Sequence, residues 1–193
     1  MKLYLASSNQ HKAQEFAELF DESISVSAAP SALEVEENGS TFHENAFAKA
    51  KAYFDKFKSP VMADDSGLVI EEMPDIMGVQ SANFAPETKD YSVKVQKLLE
   101  MTKNLKNRKA YFVCVLCFYL SDDEIFFFEG RLLGSLAQEA KGAGGFGYDP
   151  VFVPEGENFS LADAKDWKKQ HSHRAKAVQF AMKFFRESNC QNS

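Results

Sequence analysis

From Ala110 to Ser121 the chain runs twelve residues without a charge, Ala-Tyr-Phe-Val-Cys-Val-Leu-Cys-Phe-Tyr-Leu-Ser. A membrane helix needs about 20 apolar residues, so this stretch is too short to span a bilayer. Rich in β-branched and aromatic residues, it reads as a buried strand. Ser121-Asp122-Asp123 then turns it into a hairpin with a second strand, Glu124–Gly130. A hairpin of this kind forces at least one antiparallel pairing on whatever sheet the rest of the chain builds.

Around the hairpin, helical and strand patterns alternate. Lys2–Ala6 reads as a strand, and Ala13, Phe16, Ala17 and Phe20 recur at helical spacing from about Gln10 to Phe20. A second helix is expected over Thr41–Phe57, with Phe42, Ala46, Ala50, Tyr53 and Phe57 on one stripe. Pro60–Ala63 is a short strand that runs into Asp64-Asp65-Ser66-Gly67, which reads as a turn at the strand's end. A third helix covers about Ser92–Thr102, a glycine-rich loop Gly142–Asp149, a brief strand Pro150–Pro154, and a last helix His173–Arg186. The pattern predicts an α/β protein with a mixed sheet. With 193 residues, 45% of them apolar, and no repeat or linker, residues 1–193 are expected to form a single domain.

Charge and cysteine usage exclude several functions. The chain has 22 Lys+Arg against 28 Asp+Glu, a net −6, which opposes general nucleic-acid binding by counterion release. After Met1–Ala6 the sequence reaches Asn9, Gln10, His11 and Lys12 too soon for a signal-peptide core, so a cytoplasmic location without membrane attachment is expected. Three cysteines fit a reducing compartment. Cys114 and Cys117 sit three apart in the expected strand and face opposite ways, which suits inert core thiols better than a metal. The charge is also unevenly spread. No Lys or Arg lies between Lys12 and Lys49, whereas Glu15, Glu18, Asp21, Glu22, Glu34, Glu36, Glu37 and Glu44 do. The segment Lys165–Arg186 is basic.

Four segments could carry chemistry. Asp64-Asp65 at the end of a buried strand can hold Mg²⁺ through one or two oxygens, and a carboxylate there can take a proton from water. Gly142–Gly147 matches G-x-G-x-x-G, but Asp149-Pro150 follows where a dinucleotide fold needs a helix. The loop is better suited to present Phe146 and Tyr148 to a flat base, with Asp149 as acceptor. In Lys168-Lys169-Gln170-His171-Ser172-His173-Arg174, Ser172 can cap a helix whose first residues offer donors to an anion or a carbonyl-rich base. Ser7–Lys12 joins a strand to a helix, where backbone N–H groups and Lys12 make a phosphate seat; no P-loop motif is present.

The blocks Ser7-x-Asn9-x-x-Lys12-x-x-Glu15, Glu44-Asn45-Ala46-x-x-Lys49-Ala50, Ala63–Leu68, Gly145–Phe152 and Ser172-His173-Arg174-x-x-Ala177 together resemble the inosine/xanthosine triphosphate pyrophosphatases. The resemblance implies hydrolysis of inosine, deoxyinosine and xanthosine triphosphates to monophosphate and pyrophosphate, with Mg²⁺, by a homodimer that cleanses the nucleotide pool. It implies an α/β fold with an elongated mixed β-sheet flanked by helices, in two lobes with a central cleft. By the same resemblance Asp65 is the proton acceptor, and Glu36 with Asp65 holds the metal; Glu37, next to Glu36, leaves that carboxylate open by one residue. Ser7, Ser8, Asn9, Gln10, His11, Lys12 and Lys49 would hold the triphosphate. Ser66, Phe146, Gly147, Tyr148, Asp149, Lys168, His173 and Arg174 would hold the nucleotide, chiefly its base. The chain departs from the family pattern at Ser7-Ser8-Asn9 for Thr-Gly-Asn, at Pro74–Gly78, and at Asn83 where an Arg is usual.

Overall fold

The fold is that of a computed structural model, which describes residues 1–7 and 9–191. In chain order the elements are β1 (Lys2–Leu5), α1 (Gln10–Leu19), β2 (Ser25–Ala28), α2 (Phe42–Phe57), β3 (Val61–Ile70), α3 (Tyr91–Thr102), β4 (Lys109–Ser121), β5 (Glu124–Leu136), β6 (Phe152–Pro154), α4 (Lys165–His171) and α5 (His173–Gln191). The sheet order is β2-β1-β3-β4-β5-β6. β1 runs parallel to β2, with Leu3 opposite Val26, and parallel to β3, with Leu5 opposite Met62. Parallel neighbours need long crossovers, and α1 and α2 supply them. β6 is antiparallel to β5, with Ser135 opposite Val153, so the sheet is mixed as expected.

Caps set the helix starts. Asn9 accepts from the backbone N–H groups of His11 and Lys12 at 3.0 and 3.2 Å, fixing the entry to α1. Thr41 and Glu44 form a reciprocal capping box on α2.

Four elements differ from the sequence expectation; the simplest is β5, which runs six residues past the expected Gly130 to Leu136. β2 is short and mostly exposed, Ser-Val-Ser-Ala, and carries no apolar alternation to betray it. β3 does not stop at Ala63 but continues through Asp64-Asp65-Ser66-Gly67 to Ile70, so those residues are strand and not a turn. The strand's ladder and the apolar Leu68 and Ile70 beyond it outweigh the local turn preference of Asp, Ser and Gly. α4, seven residues without an apolar stripe, gave no periodic signal.

The chain forms two compact units. The first comprises Met1–Ser66, Cys114–Gly130 and His173–Ser193, the second Gly67–Val113 and Arg131–Ser172. Each has its own core. In the first, Leu3, Leu5, Met62, Leu116 and Phe118 pack with Phe16 of α1 and Ala177, Val178 and Ala181 of α5. In the second, Leu68, Ile70, Leu98, Phe112, Val151, Phe152 and Leu161 are buried together.

Within the first unit, period-two alternation along β3 separates its side chains onto two faces. Met62 packs with α1 and α5, whereas Ala46, Ala50 and Tyr53 of α2 are buried separately from that cluster. β5 meets the start of α5 closely: a Cβ built on Gly130 would lie 2.1 Å from the His173 carbonyl oxygen and 2.5 Å from the Ala177 nitrogen. Neither backbone atom can swing aside. Gly130→Ala is therefore expected to destabilise the protein by roughly 1–3 kcal/mol. A thermal unfolding curve coincident with wild type would show that this approach tolerates a methyl group.

Candidate active site

β3 places Asp64 and Asp65 in consecutive positions, both buried, with 1% and 6% of their surface exposed. Alternation sends them to opposite faces, and different helices meet them there. Asp64 Oδ2 is 2.8 Å from Lys12 Nζ of α1 and accepts from Ser66 Oγ at 3.2 Å. Arg174 of α5 donates through Nη2 to Ser66 Oγ (3.0 Å) and through Nη1 to Glu15 Oε2 of α1 (2.7 Å). Lys12 and Glu15, one turn apart on α1, thus serve the same cluster. Asp65 faces α2, where Asn45 Nδ2 donates to its Oδ2 at 3.2 Å and Lys49 Nζ lies 3.4 Å from its Oδ1. The same ammonium is 2.7 Å from Glu37 Oε2.

These settings drive two adjacent carboxyls apart. Burial alone would raise Asp64, but Lys12, Lys49 and Arg174 outweigh it and hold the group below its ordinary range. At Asp65 burial prevails: with Glu37 adding to it, and Lys49, Lys12 and the Asn45 hydrogen bond opposing, the pKa rises to about 6. Lys49 is itself buried, which disfavours its charge, yet Asp64, Asp65 and Glu37 together keep its pKa above normal. One carboxylate is a fixed anion and its neighbour is poised to exchange a proton near neutral pH, the arrangement expected of an acid/base site.

A metal can be considered on the same geometry. Asp65 and Glu37 share one ammonium, so two hard oxygen donors already converge on a cation. Asp64 Oδ1 is buried and has no hydrogen-bond partner among the described residues. Among the described residues no group of three or more His, Cys, Asp or Glu is placed to hold a metal. Mg²⁺ does not require one, since it binds through one or two carboxylates and completes its shell with water and phosphate. The donor set fits that ion. Glu36 stands apart, accepting from Asn38 Nδ2 at 2.8 Å on the surface, and it is Glu37 that joins the network. Cys114 and Cys117 are buried free thiols, and burial pushes Cys117 up to about 12, consistent with an inert pair.

The phosphate-seat residues are used in part for local structure. Ser7 Oγ accepts from the Asn9 N–H at 3.1 Å, and Asn9 Oδ1 engages the His11 and Lys12 amides, leaving the Lys12 ammonium as the charged group presented by this turn. Ser8 lies outside the described residues, as does the side chain of Gln10.

In the second unit the glycine-rich loop is organised around Asp149, which is buried. Its Oδ2 accepts from the Phe146 N–H and from Lys168 Nζ, both at 2.7 Å. Gly145 is left-handed (φ +81°), and a Cβ there would fall 2.7 Å from that same Asp149 oxygen. Only glycine leaves room for the carboxylate. Tyr148 is not a presented ring: it is 4% exposed, and its hydroxyl donates to the Ser81 carbonyl at 2.8 Å. Phe146 is the half-buried ring of the loop, with Gly147 beside it. Lys168, on α4, belongs to this unit, whereas His173 and Arg174, both buried, belong to the first. The structure therefore divides the expected base-binding set between the second unit, with Phe146, Gly147, Tyr148, Asp149 and Lys168, and the first, with Ser66, His173 and Arg174.

Residues 3–184 match the Ham1 family. The chain belongs to that family. A protein named dITP/XTP pyrophosphatase from Aquifex aeolicus is 41% identical over 189 residues, covering 92% of this chain and 93% of its own. One of the same name from Staphylococcus aureus is 37% identical over 186 residues, covering 95% of each. Among solved structures, the Staphylococcus aureus Ham1 protein superposes with a TM-score of 0.87 at 35% identity, covering 97% of this chain and all of that one. A HAM1 protein from Coxiella burnetii has the same TM-score at 32% identity, covering 97% and 99%.

Sequence reasoning quoted Asn45 and Glu15 in the motif blocks without giving them a role, and left Glu37 as the alternative to Glu36. Asn45 could have been found from Lys49, since residues four apart on a helix share a face. Glu15 had its motif position but no partner to read from the sequence, and Glu37 was one residue from the carboxylate the resemblance named.

Because the folded-state pKa of Asp65 is raised, the native state holds its proton more tightly than the unfolded chain, and stability falls as pH rises from about 4 through about 6. Asp65→Asn removes that penalty. It is expected to raise the Tm at pH 7.5 by roughly 3 °C or more and to change it little at pH 4. An equal shift at both pH values would show that ionisation of Asp65 is not the source.

Proposed function

We propose that this protein hydrolyses inosine, deoxyinosine and xanthosine triphosphates to the monophosphate and pyrophosphate, removing non-standard purines before they enter DNA or RNA. The observation that carries the reading is the pair of buried carboxylates, Asp64 and Asp65, set among Lys12, Lys49 and Arg174. The relatives named dITP/XTP pyrophosphatase support the substrate class.

In this reading Asp65, ionised above about pH 6, accepts a proton from the water that attacks the α-phosphorus as the bond to pyrophosphate breaks. Lys12 and Lys49, held by carboxylates in the free protein, turn toward the phosphates and meet the charge growing on the leaving group. Asp64 stays ionised and keeps Lys12 and Ser66 in place. Asp65 would hold Mg²⁺ with Glu37, in preference to Glu36, because Glu37 shares Lys49 with Asp65. When bound, that ion would neutralise charge on the triphosphate oxygens. By the family resemblance Phe146 would offer a ring face to the base, Lys168 would help hold the nucleotide, and His173 and Arg174 would be the donors to a 6-oxo group. Adenine carries an amino group at that position, leaving donors opposed to donors. A homodimer and a cytoplasmic setting belong to the same proposal; they rest on the family resemblance and, for the setting, on the free thiols. No helix of the described residues is long and apolar enough to cross a membrane.

Pyrophosphate release across inosine, xanthosine, guanosine, adenosine and uridine triphosphates with Mg²⁺ tests the reading. Inosine and xanthosine triphosphates are expected to turn over on the order of 10²-fold faster than ATP, the size of discrimination that a hydrogen-bond mismatch readily exceeds. Faster turnover of uridine triphosphate would refute the substrate class. Asp65→Asn is expected to lower kcat by about 10²–10⁴ while KM changes little; wild-type rates would remove Asp65 from proton transfer.

A further inference from the structure

Tyr91, the first residue of α3, has no part in the site described so far, yet the aromatic loop rests on it. Its ring centroid lies 5.5 Å from that of Phe146, tilted by 52°, and 5.4 Å from that of Tyr148, edge-on at 80°. Between them Gly147 is left-handed (φ +68°) and turns its bare Cα toward the same ring: a Cβ there would meet Tyr91 carbons at 3.6–4.0 Å. Both aromatic residues of the loop therefore pack on one side chain, with Gly147 open toward it.

That side chain is itself held. Lys94, nearly one turn along α3, sets its Nζ 5.4 Å from the Tyr91 centroid and donates to the Ala82 carbonyl at 2.7 Å. Tyr148 donates to the neighbouring Ser81 carbonyl at 2.8 Å, and Ser81 Oγ in turn accepts from the Leu68 N–H of β3 at 3.1 Å. Helix and loop are thus fastened to neighbouring carbonyls, Ala82 and Ser81, and the Tyr91 ring packs on the loop beside them.

We propose that Tyr91 is a positioning residue for base recognition: it holds the Phe146 ring in the orientation in which that ring stacks on the purine. The inference rests on the pyrophosphatase reading above. Without the ring, Phe146 loses its aromatic neighbour and samples other rotamers, and binding must then order it again. The cost falls on the base and not on the phosphates, because a stacking ring contributes nothing to a ligand that has no base.

The test is steady-state pyrophosphate release from inosine triphosphate by the full chain with Mg²⁺, with tripolyphosphate, which has no base, as competitor. Tyr91→Ala is expected to raise KM about tenfold, the loss of roughly two aromatic contacts, with kcat and the tripolyphosphate inhibition constant each within about twofold of wild type. Tyr91→Phe, which keeps the ring, returns KM to within about twofold. Should Tyr91→Ala fail to give a cooperative unfolding transition, Tyr91→Leu is read for the same split. A wild-type KM in the ring-less variant overturns the proposal, as does an equal weakening of tripolyphosphate. Absence of pyrophosphate release from the wild-type protein would instead overturn the pyrophosphatase reading on which it rests.

Discussion

Two carboxylates in consecutive positions of a buried strand remain charged only if cations reach them, because taking an ion out of water costs several kcal/mol. β3 sets this demand on both faces at once, since neighbouring residues point opposite ways. Toward one face Lys12 comes from the start of α1 and Arg174 from the start of α5; toward the other Lys49 comes from the middle of α2. Each helix start is fixed by a local device: Asn9 caps α1, the Thr41–Glu44 box caps α2, and Gly130 lets α5 approach the sheet. The caps and the glycine determine where the cations arrive, and the cations decide which carboxyl keeps its proton.

The inequality between the two faces is the source of reactivity. Asp64 has a direct 2.8 Å partner and a guanidinium relayed through Ser66. Asp65 has one ammonium at 3.4 Å, and that ammonium is closer to Glu37. Sharing a cation between two carboxylates stabilises each less than sole possession, so burial prevails at Asp65 and not at Asp64. A site in which both were fully paired would be more stable and would have no group able to accept a proton near neutral pH.

Much of this was legible in the sequence, and what was not has physical causes. The apolar stripes of α1, α2 and α5 and the charge-free β4 are long, periodic signals, and they appear where the pattern placed them. Asp64-Asp65-Ser66-Gly67 carries strong turn chemistry, but its strand character comes from neighbouring strands and from Leu68 and Ile70, which no local window weighs. The charge imbalance was read as an acidic region and a basic segment. In space the basic segment disperses: Lys168 goes to Asp149, Arg174 to Glu15, and Arg186 to Asp21. Charge summed along a chain is not charge summed at a place, and two of the acidic residues, Glu15 and Asp21, are the partners of cations from the opposing segment.

The glycine-rich loop shows the same limit at closer range. Its spacing matches a phosphate-binding fingerprint, yet the space its glycines leave is taken by the chain's own carboxylates: Asp163 at Gly142 and Asp149 at Gly145. In a dinucleotide fold those absences admit a pyrophosphate; here they admit the groups that shape the loop. Asp149 ties the Phe146 amide to Lys168, and Tyr148 turns inward to Ser81, so that of two aromatic residues equivalent in sequence one becomes an anchor and the other a face. Which is which follows from the hydroxyl. Tyr148 can satisfy a buried carbonyl and gains by burial, whereas Phe146 has nothing to donate, and the ring left partly open is the one that can stack on a base.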